Sequence, residues 1–248
     1  MSIMALTTAF AQLCDIADKL GSSFPPPYVV AKGDGFVDRH EPRARTNGLA
    51  CYLKAVKLCS TLNGAVILLN SGHVQEAFAL GRIAEDQVED IHFLVRPRGD
   101  DGRLSAHQEA ALAEFFQEEL KDVMDPVGTS QERYRIRRDK IRAAIHSDMD
   151  DPSTVQKITK AFHRLFSGYV YGAYVHIMEL HSEGAPGHYH ARGTPGPRLT
   201  EAIDYFPHFI YHAVLAVEDL VDRSSRDDLL PQIRSLRAHL PNVFDLLP

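Results

Sequence analysis

The sequence predicts an all-α protein, a helical bundle of seven or eight helices. Apolar residues recur at intervals of three and four along most of the 248 residues, and nothing alternates convincingly as a strand. Because there is also no internal repeat and no low-complexity tract, we expect a single domain over residues 1–248. Its parts are an N-terminal helix with a Pro-rich loop (1–48), a core bundle (49–222) and a C-terminal helix (223–248).

The first half of the chain contains three predicted helices. Gly21 closes the first helix, Gly72 separates the second from the third, and Pro97 ends the third. The predicted elements are a helix over residues 3–20, a loop with three consecutive prolines over 21–45, and a helical hairpin over 49–95.

Capping residues mark the helices of the second half. Ser105-Ala-His-Gln108 is a capping box that opens a helix ended by Pro126, and Thr129-Ser-Gln-Glu132 is a second box. Asp151 followed by Pro152 is an N-cap with proline at the first helical position. The predicted helices cover about residues 105–125, 129–147, 152–183, 200–222 and 227–239.

Two of these helices contain residues that disturb a helix. We expect the helix over residues 152–183 to bend near Gly168 and Gly172, and the helix over 200–222 to carry Pro207 inside it. Residues 184–198, which are rich in glycine and proline, are predicted to form a loop.

Charge and cysteine content exclude several classes of protein. A net charge of −6 and an isoelectric point near 6.1 provide no global cationic field for nucleic acid or for a membrane surface. Three cysteines do not make a disulfide framework, and we interpret them as reduced thiols. No apolar run is expected to approach a membrane span. These features favour a cytoplasmic protein without a membrane partner.

Four polar residues lie in an unusual place on the second helix of the hairpin. At 100° per residue, Arg82, Glu85, Glu89 and His92 fall within an arc of about 80°. Other acidic residues already supply a solvated face, so this helix-three arc is a second, specific polar surface. A network of Arg82 with Glu85 and Glu89 between helices is the favoured interpretation. Glu89-x-x-His92 also has the ligand spacing of di-iron bundles, but only one such motif occurs.

His176 is a further candidate because it lies on an apolar helical face. A single histidine in a core is usually just hydrogen-bonded. If His176 instead meets the helix-three arc across the bundle, the five side chains form one site. The candidate catalytic residues are therefore Arg82, Glu85, Glu89, His92 and His176.

Asp204, His208 and His212 follow one another at helical spacing. Two histidines one turn apart can chelate a divalent metal. The opposite face of this helix is apolar, however, so the favoured interpretation is the solvated side of an amphipathic helix. The sequence thus favours no metal and no cofactor, and these three residues are weak metal candidates.

A basic segment precedes Asp151. Arg135, Arg142 and His146 share one face of a predicted helix, and Arg138 lies beside it. Guanidinium groups match phosphate oxygens, so this face is a candidate for binding phosphate or RNA. A run of charges is more often a solvated surface, which is the favoured interpretation.

Two segments carry a family resemblance. Residues 75–85 read QEAFALGRIAE, and a later helix has a tyrosine followed by a histidine, Tyr169 and His176. This pattern resembles uncharacterised prokaryotic helical proteins related to HEPN (higher eukaryotes and prokaryotes nucleotide-binding) bundles. The resemblance implies a HEPN-like all-α core and dimerisation. HEPN ribonucleases use Arg-x(4–6)-His, and here only Arg234 to His239 has that spacing, a match expected by chance.

Three functions are compatible with these features. The first is a non-catalytic interaction or regulatory module that forms a homo-oligomer or binds a protein partner. The second is a HEPN-type enzyme directed at RNA or nucleotides. The third is a metal-dependent bundle enzyme with glutamate and histidine ligands. The absence of a strong catalytic motif favours the first.

Overall fold

The computed structural model describes residues 2–32, 35–99, 102–117, 125, 127–128, 135–182, 187–193 and 197–241. Over these residues the chain is mostly helical, which confirms the all-α prediction. The helices are α1 (Ile3–Gly21), α2 (Asn47–Asn70), α3 (Val74–Val95), α4 (Ala106–Phe116), α5 (Arg138–Ile145), α6 (Pro152–Tyr171), α7 (Tyr174–Met178), α8 (Pro197–Tyr205), α9 (Pro207–Arg223) and α10 (Leu230–Ala238).

A small β-hairpin contradicts the expectation that the chain has no strands. Strands β1 (Tyr28–Lys32) and β2 (Gly35–Arg39) pair antiparallel within the predicted loop, with Tyr28 opposite Arg39. Val29 and Phe36, on one face of the hairpin, are 65% and 78% exposed, and Val30 and Val37 on the other face are only partly buried. Because no described side chain of the hairpin is fully buried, the sequence lacks the alternation by which a strand is predicted.

Helices α2 and α3 form the predicted helical hairpin. The Thr46 side chain caps α2 by accepting a hydrogen bond from the Leu49 amide, and α2 ends at Asn70 as predicted. Gly72, with φ of 76°, makes the turn into α3. Helix α3 is also in contact with α5, α6 and α9, so it lies at the centre of the molecule. Side chains that would face water on an isolated hairpin are therefore enclosed.

Two long predicted helices are interrupted. Helix α6 ends at Gly172, which has a left-handed backbone, so the helix predicted as far as residue 183 is shorter. The helix predicted over 200–222 is divided into α8 and α9 between Tyr205 and Pro207. Proline has no amide hydrogen to donate and crowds the preceding turn, which explains the break.

The capping predictions have different outcomes. Both hydrogen bonds of the Ser105–Gln108 capping box are present, and the Asp151 side chain accepts from the Thr154 amide. Helix α5 begins at Arg138, later than predicted. The second capping box, Thr129–Glu132, and the predicted helix end at Pro126 lie outside the described residues.

Helix α2 differs from expectation in its hydropathy. Over the described residues it is the one helix long and apolar enough to cross a membrane, with 44% of its most apolar window buried. The expectation that no apolar run approaches a span is therefore wrong for α2. Helix α2 packs against α1, α3 and α9, and Leu58 and Leu62 are fully buried. The core helix of a folded domain has the same composition.

Candidate functional site

The helix-three arc lies inside the molecule, and its acidic members meet partners from other helices. Glu89 is 6% exposed, and its Oε1 accepts a hydrogen bond of 2.7 Å from Arg142 Nε of α5. His163 Nε2 of α6 lies 2.9 Å from the same oxygen. Burial alone would raise the pKa of Glu89, but the contacts with His163 and Arg142 lower it by a larger amount. The pKa of Glu89 is therefore below the usual value. Glu89 is thus an ion-paired carboxylate that holds α3, α5 and α6 together.

Glu85 faces α9 instead. His212 Nδ1 lies 3.0 Å from each of its carboxylate oxygens. Burial raises the pKa of Glu85, but the neighbouring His212 outweighs it and the pKa is lowered. Burial lowers the pKa of His212, and Glu85 raises it above the usual value. Both pKa shifts favour an ion pair in which His212 donates to Glu85.

His208 lies one turn before His212 and packs against it, with 3.9 Å between ring centroids and 57° between the ring planes. It is 3% exposed, so the prediction that this stripe is solvated is wrong at His208. Burial, together with a smaller contribution from the nearby His212, lowers its pKa to about 4. His208 is consequently neutral at pH 7. Its Nδ1 is buried and has no hydrogen-bond partner within the part of the chain that the structure describes.

A small cavity of about 40 Å³ adjoins these side chains. Its polar wall contains Glu85, His163, His208 and His212, and its apolar wall contains Phe162, Phe166 and Phe209. One potential ligand atom from each of Glu85, His208 and His212 lies within 4.8 Å of the others. Asp204, the third member of the predicted stripe, is exposed on α8, before the break at Pro207. The structure thus brings Glu85 of the helix-three arc together with His208 and His212 of the predicted stripe.

A second group, Asp86, Glu89 and His163, has the same spacing. It is surrounded by guanidinium groups. Arg82 Nη1 lies 2.8 Å from Asp86, and Arg138 Nε lies 3.4 Å from it. Because Arg142 also binds Glu89, the negative charge of this group is already balanced. A cation would gain little here.

The prediction of the side chains that Arg82 contacts is wrong. Arg82 pairs with Asp86 on its own helix and with the Ser167 hydroxyl of α6, rather than with Glu85 and Glu89. The face of α3 expected to be solvated is also partly covered. Asp90 lies 2.7 Å from Lys54 Nζ and 2.5 Å from Arg138 Nη1.

His92 contacts α9 at a different point along the helix from Glu85. Its Nδ1 lies 2.9 Å from Asp219 Oδ2, and Arg96 Nη2 lies 2.5 Å from Asp219 Oδ1. Burial raises the pKa of Asp219, but His92 and Arg96 bring it below the usual value. The contact ties the end of α3 to α9, and its distance from Glu85 along the helix keeps it separate from the cavity.

The predicted phosphate-binding face of α5 is turned inward. Arg142 is 7% exposed and bound to Glu89, and Arg138 is bound to Asp90. Burial lowers the pKa of the half-buried His146. Of the predicted set, Arg135 has a largely exposed side chain. Arg138 and Arg142 therefore complete the polar network around α3, whereas Arg135 lies at the surface.

His176 does not join the helix-three arc. It is 7% exposed, and its ring packs edge-on against Tyr169 with 4.2 Å between centroids. Its carbonyl accepts a hydrogen bond from the Gln75 side chain. A Cβ on Gly168 would lie 2.1 Å from the imidazole, so glycine is what admits the ring. The side chain makes no hydrogen bond with Arg82, Glu85 or His92, so the single five-residue site is not formed.

An open cleft of about 710 Å³ lies between α3, α6 and α8. Phe78, Phe166, Tyr169 and Tyr205 supply aromatic walls, and the polar lining is Glu179, His181, His190, Arg198 and Glu201. The Tyr169 hydroxyl donates to Glu179 at 3.2 Å. Sequence reasoning missed this cleft because its residues come from four separate segments.

Backbone contacts hold the wall of the cleft. The His190 amide donates to the Leu180 carbonyl at 2.7 Å, and Ser182 donates to the His188 carbonyl at 2.9 Å. On the opposite wall, Arg198 lies in the first turn of α8. Its Nη1 is buried without a hydrogen-bond partner among the described side chains and backbone groups. A buried guanidinium nitrogen without a partner is suited to an anionic ligand.

Comparison with known proteins leaves this geometry as the main guide to function. No family model, no curated protein and no solved structure matches the chain. The relationship to HEPN bundles is thus a prediction that rests on residues 75–85, Tyr169 and His176. What the chain does has to be inferred from its cleft and its buried polar groups.

Proposed function

We propose that this protein is a regulatory ligand-binding protein and that its ligand is a nucleotide or the end of an RNA strand, held in the cleft. The observation that carries the proposal is the combination of aromatic walls with the partner-free Nη1 of Arg198 in a cavity of about 710 Å³. A cavity of this size suits a small organic molecule. The proposal combines the regulatory role, which the sequence favours, with the nucleotide chemistry that the sequence offers as an alternative.

Each part of a nucleotide has a counterpart in the cleft. Tyr169 and Tyr205 offer ring faces on which a base can stack. Arg198 offers a guanidinium for phosphate oxygens. Glu179 and Glu201 are acceptors for base amino groups, which guanine, adenine and cytosine carry and uracil lacks.

Binding of single nucleotides tests the proposal. Titration of the purified chain with GMP, CMP, AMP and UMP by calorimetry should show binding, with UMP the weakest ligand. Arg198→Ala should weaken binding about 10- to 100-fold, since it removes a charge-assisted contact. Arg192→Ala, an exposed arginine outside the cleft lining, is the matched control and should bind like the wild type. Equal affinity of the two variants, or no binding to any nucleotide, would overturn the proposal.

Cleavage of RNA is a second candidate function. His181 and His190 both line the cleft with Arg198, which places two acid–base groups beside a phosphate-binding group. A labelled RNA oligonucleotide should then be cut by the wild type, and His181→Ala or His190→Ala should abolish cutting. Background cleavage by the wild type, together with nucleotide binding, would leave the regulatory function alone.

The further parts of this proposal come from the sequence. We propose a HEPN-like helical bundle, a homo-oligomer and a cytoplasmic setting. The polar network around α3 supports a structural role for Arg82, Glu89 and His92, since each is bound to a neighbour. Their part in this function is to hold the helices that form the cleft.

A further inference from the structure

We infer that Glu85, His208 and His212 form a binding site for one divalent transition-metal ion of the zinc, iron(II) or cobalt(II) class. This site lies behind the cleft, with Phe166 lining both cavities. The inference is independent of the proposed nucleotide function.

The arrangement of the three side chains fits a metal. His208 and His212 are one turn apart on α9, so both imidazoles project from one face toward Glu85 on α3. Their ligand atoms already lie within 4.8 Å of one another. Ligands at about 2.0–2.1 Å from a tetrahedral zinc are roughly 3.4 Å apart, a distance that small rotamer changes can reach. Two imidazoles and one carboxylate are a ligand set typical of this metal class.

A second observation points to a ligand. Nδ1 of His208 is buried and has no hydrogen-bond partner within the described residues, which is unfavourable for a polar atom. A metal ion would satisfy it. The adjoining cavity of about 40 Å³ has room for the ion and a bound water, since a water needs about 10–15 Å³.

The surrounding charged side chains leave the Glu85 carboxylate available to a metal ion. Arg82, which also lines the cavity, is paired with Asp86, and His163 is engaged with Glu89 and Arg142. Glu85 has His212 as its contact, and coordination of a metal ion would replace this hydrogen bond. The group of Asp86, Glu89 and His163 is less suited to a metal ion, because arginines already bind its carboxylates.

Cobalt(II) binding tests the inference on the full chain. The protein is purified without a histidine tag, stripped with a chelator and titrated with cobalt(II), whose visible absorption reports coordination. We expect one cobalt per chain and a higher melting temperature with cobalt. Glu85→Gln and His208→Gln should each weaken cobalt binding by about 100-fold or more, as loss of a direct ligand exceeds loss of a supporting contact.

The control is Asp204→Asn, because Asp204 belongs to the sequence-predicted stripe but lies on α8, away from the cavity. It should bind cobalt like the wild type. Circular dichroism checks the fold, and Glu85→Gln decides if His208→Gln does not fold. If neither variant folds, X-ray absorption of the cobalt-loaded wild type must show two imidazole ligands. The inference would be overturned if the wild type took up no cobalt, or if folded Glu85→Gln or His208→Gln bound cobalt like the wild type. An X-ray absorption spectrum that showed no imidazole ligands would also overturn it.

Discussion

Individual polar residues in the core are held by pairing, and Glu89 shows the principle. A carboxylate that is 6% exposed would be unstable alone, but Arg142 and His163 contact it directly. Truncation of either partner would leave a buried charge, which costs more than the pair contributes. Sequence periodicity predicted that Glu89 lies on one polar face of α3 with the other members of the helix-three arc. It did not predict which helix would supply each partner.

Asp219 gives a pH-dependent prediction at this scale. Its folded pKa is below the ordinary value near 3.9, so its contribution to stability is present above that pH and is lost as the pH falls toward the folded pKa. Asp219→Asn should lower the free energy of unfolding by about 1–2 kcal/mol at about pH 7, because it removes the contacts with His92 and Arg96. The difference from wild type should shrink at about pH 3.5.

Urea unfolding at the two pH values measures this difference. Asp222→Asn is the matched control, since Asp222 is an exposed aspartate on the same helix. It should have little effect at either pH. A destabilisation by Asp219→Asn that is the same at both pH values would show that the ionised carboxylate is not responsible.

At the level of elements, α3 and α9 approach closely because of one glycine. A Cβ on Gly81 would lie 2.6 Å from the Phe209 ring, whose side chain is 1% exposed and confined by other aromatic rings. The close approach brings Glu85 on α3 within reach of His208 and His212 on α9. The metal site therefore depends on this contact between elements.

Gly81→Ala should destabilise the protein by about 1–3 kcal/mol, since an enclosed ring has to move. Gly64→Ala on α2 is the matched control. Its Cβ would meet only the end of the Leu80 side chain, at 3.2 Å, and alanine is the better helix former by about 1 kcal/mol. We expect Gly64→Ala to be neutral or slightly stabilising. Thermal unfolding compares the two variants, and equal melting temperatures would contradict close packing at Gly81.

On the scale of the whole molecule, an apolar surface projects where α6 meets α7. Tyr171 and Tyr174 are 84% and 75% exposed, and Val175 is exposed beside them. Large apolar groups exposed together are typical of interaction surfaces. A second copy of the chain is the partner that the sequence resemblance implies.

The mass in solution tests this surface. We expect light scattering to give a dimer of twice 27.7 kDa, since burial of two tyrosine rings stabilises association. The double change Tyr171→Ser and Tyr174→Ser should give a monomer with unchanged helix content. Met4→Ser, which removes a side chain 74% exposed on α1, should leave the dimer intact. A monomeric wild type would exclude the dimer.

The sequence by itself determined the helical class, most helix positions and the polar arc on α3, because each depends on neighbours along the chain. Capping groups such as Ser105 and Asp151 act within one turn, so their hydrogen bonds were predicted correctly. The β-hairpin was not predicted because none of its described side chains is fully buried, so no alternating pattern of apolar and polar residues marks it.

Only the tertiary structure decided which polar groups meet. Glu85 and His212 are far apart in sequence and become neighbours because α9 packs on α3. His208 looked solvated because its stripe lies opposite an apolar face, yet α3 and α6 cover that stripe. His176 was turned toward Tyr169 by the space at Gly168. Periodicity reports which face of a helix a residue occupies, but the packing of other helices decides what that face touches.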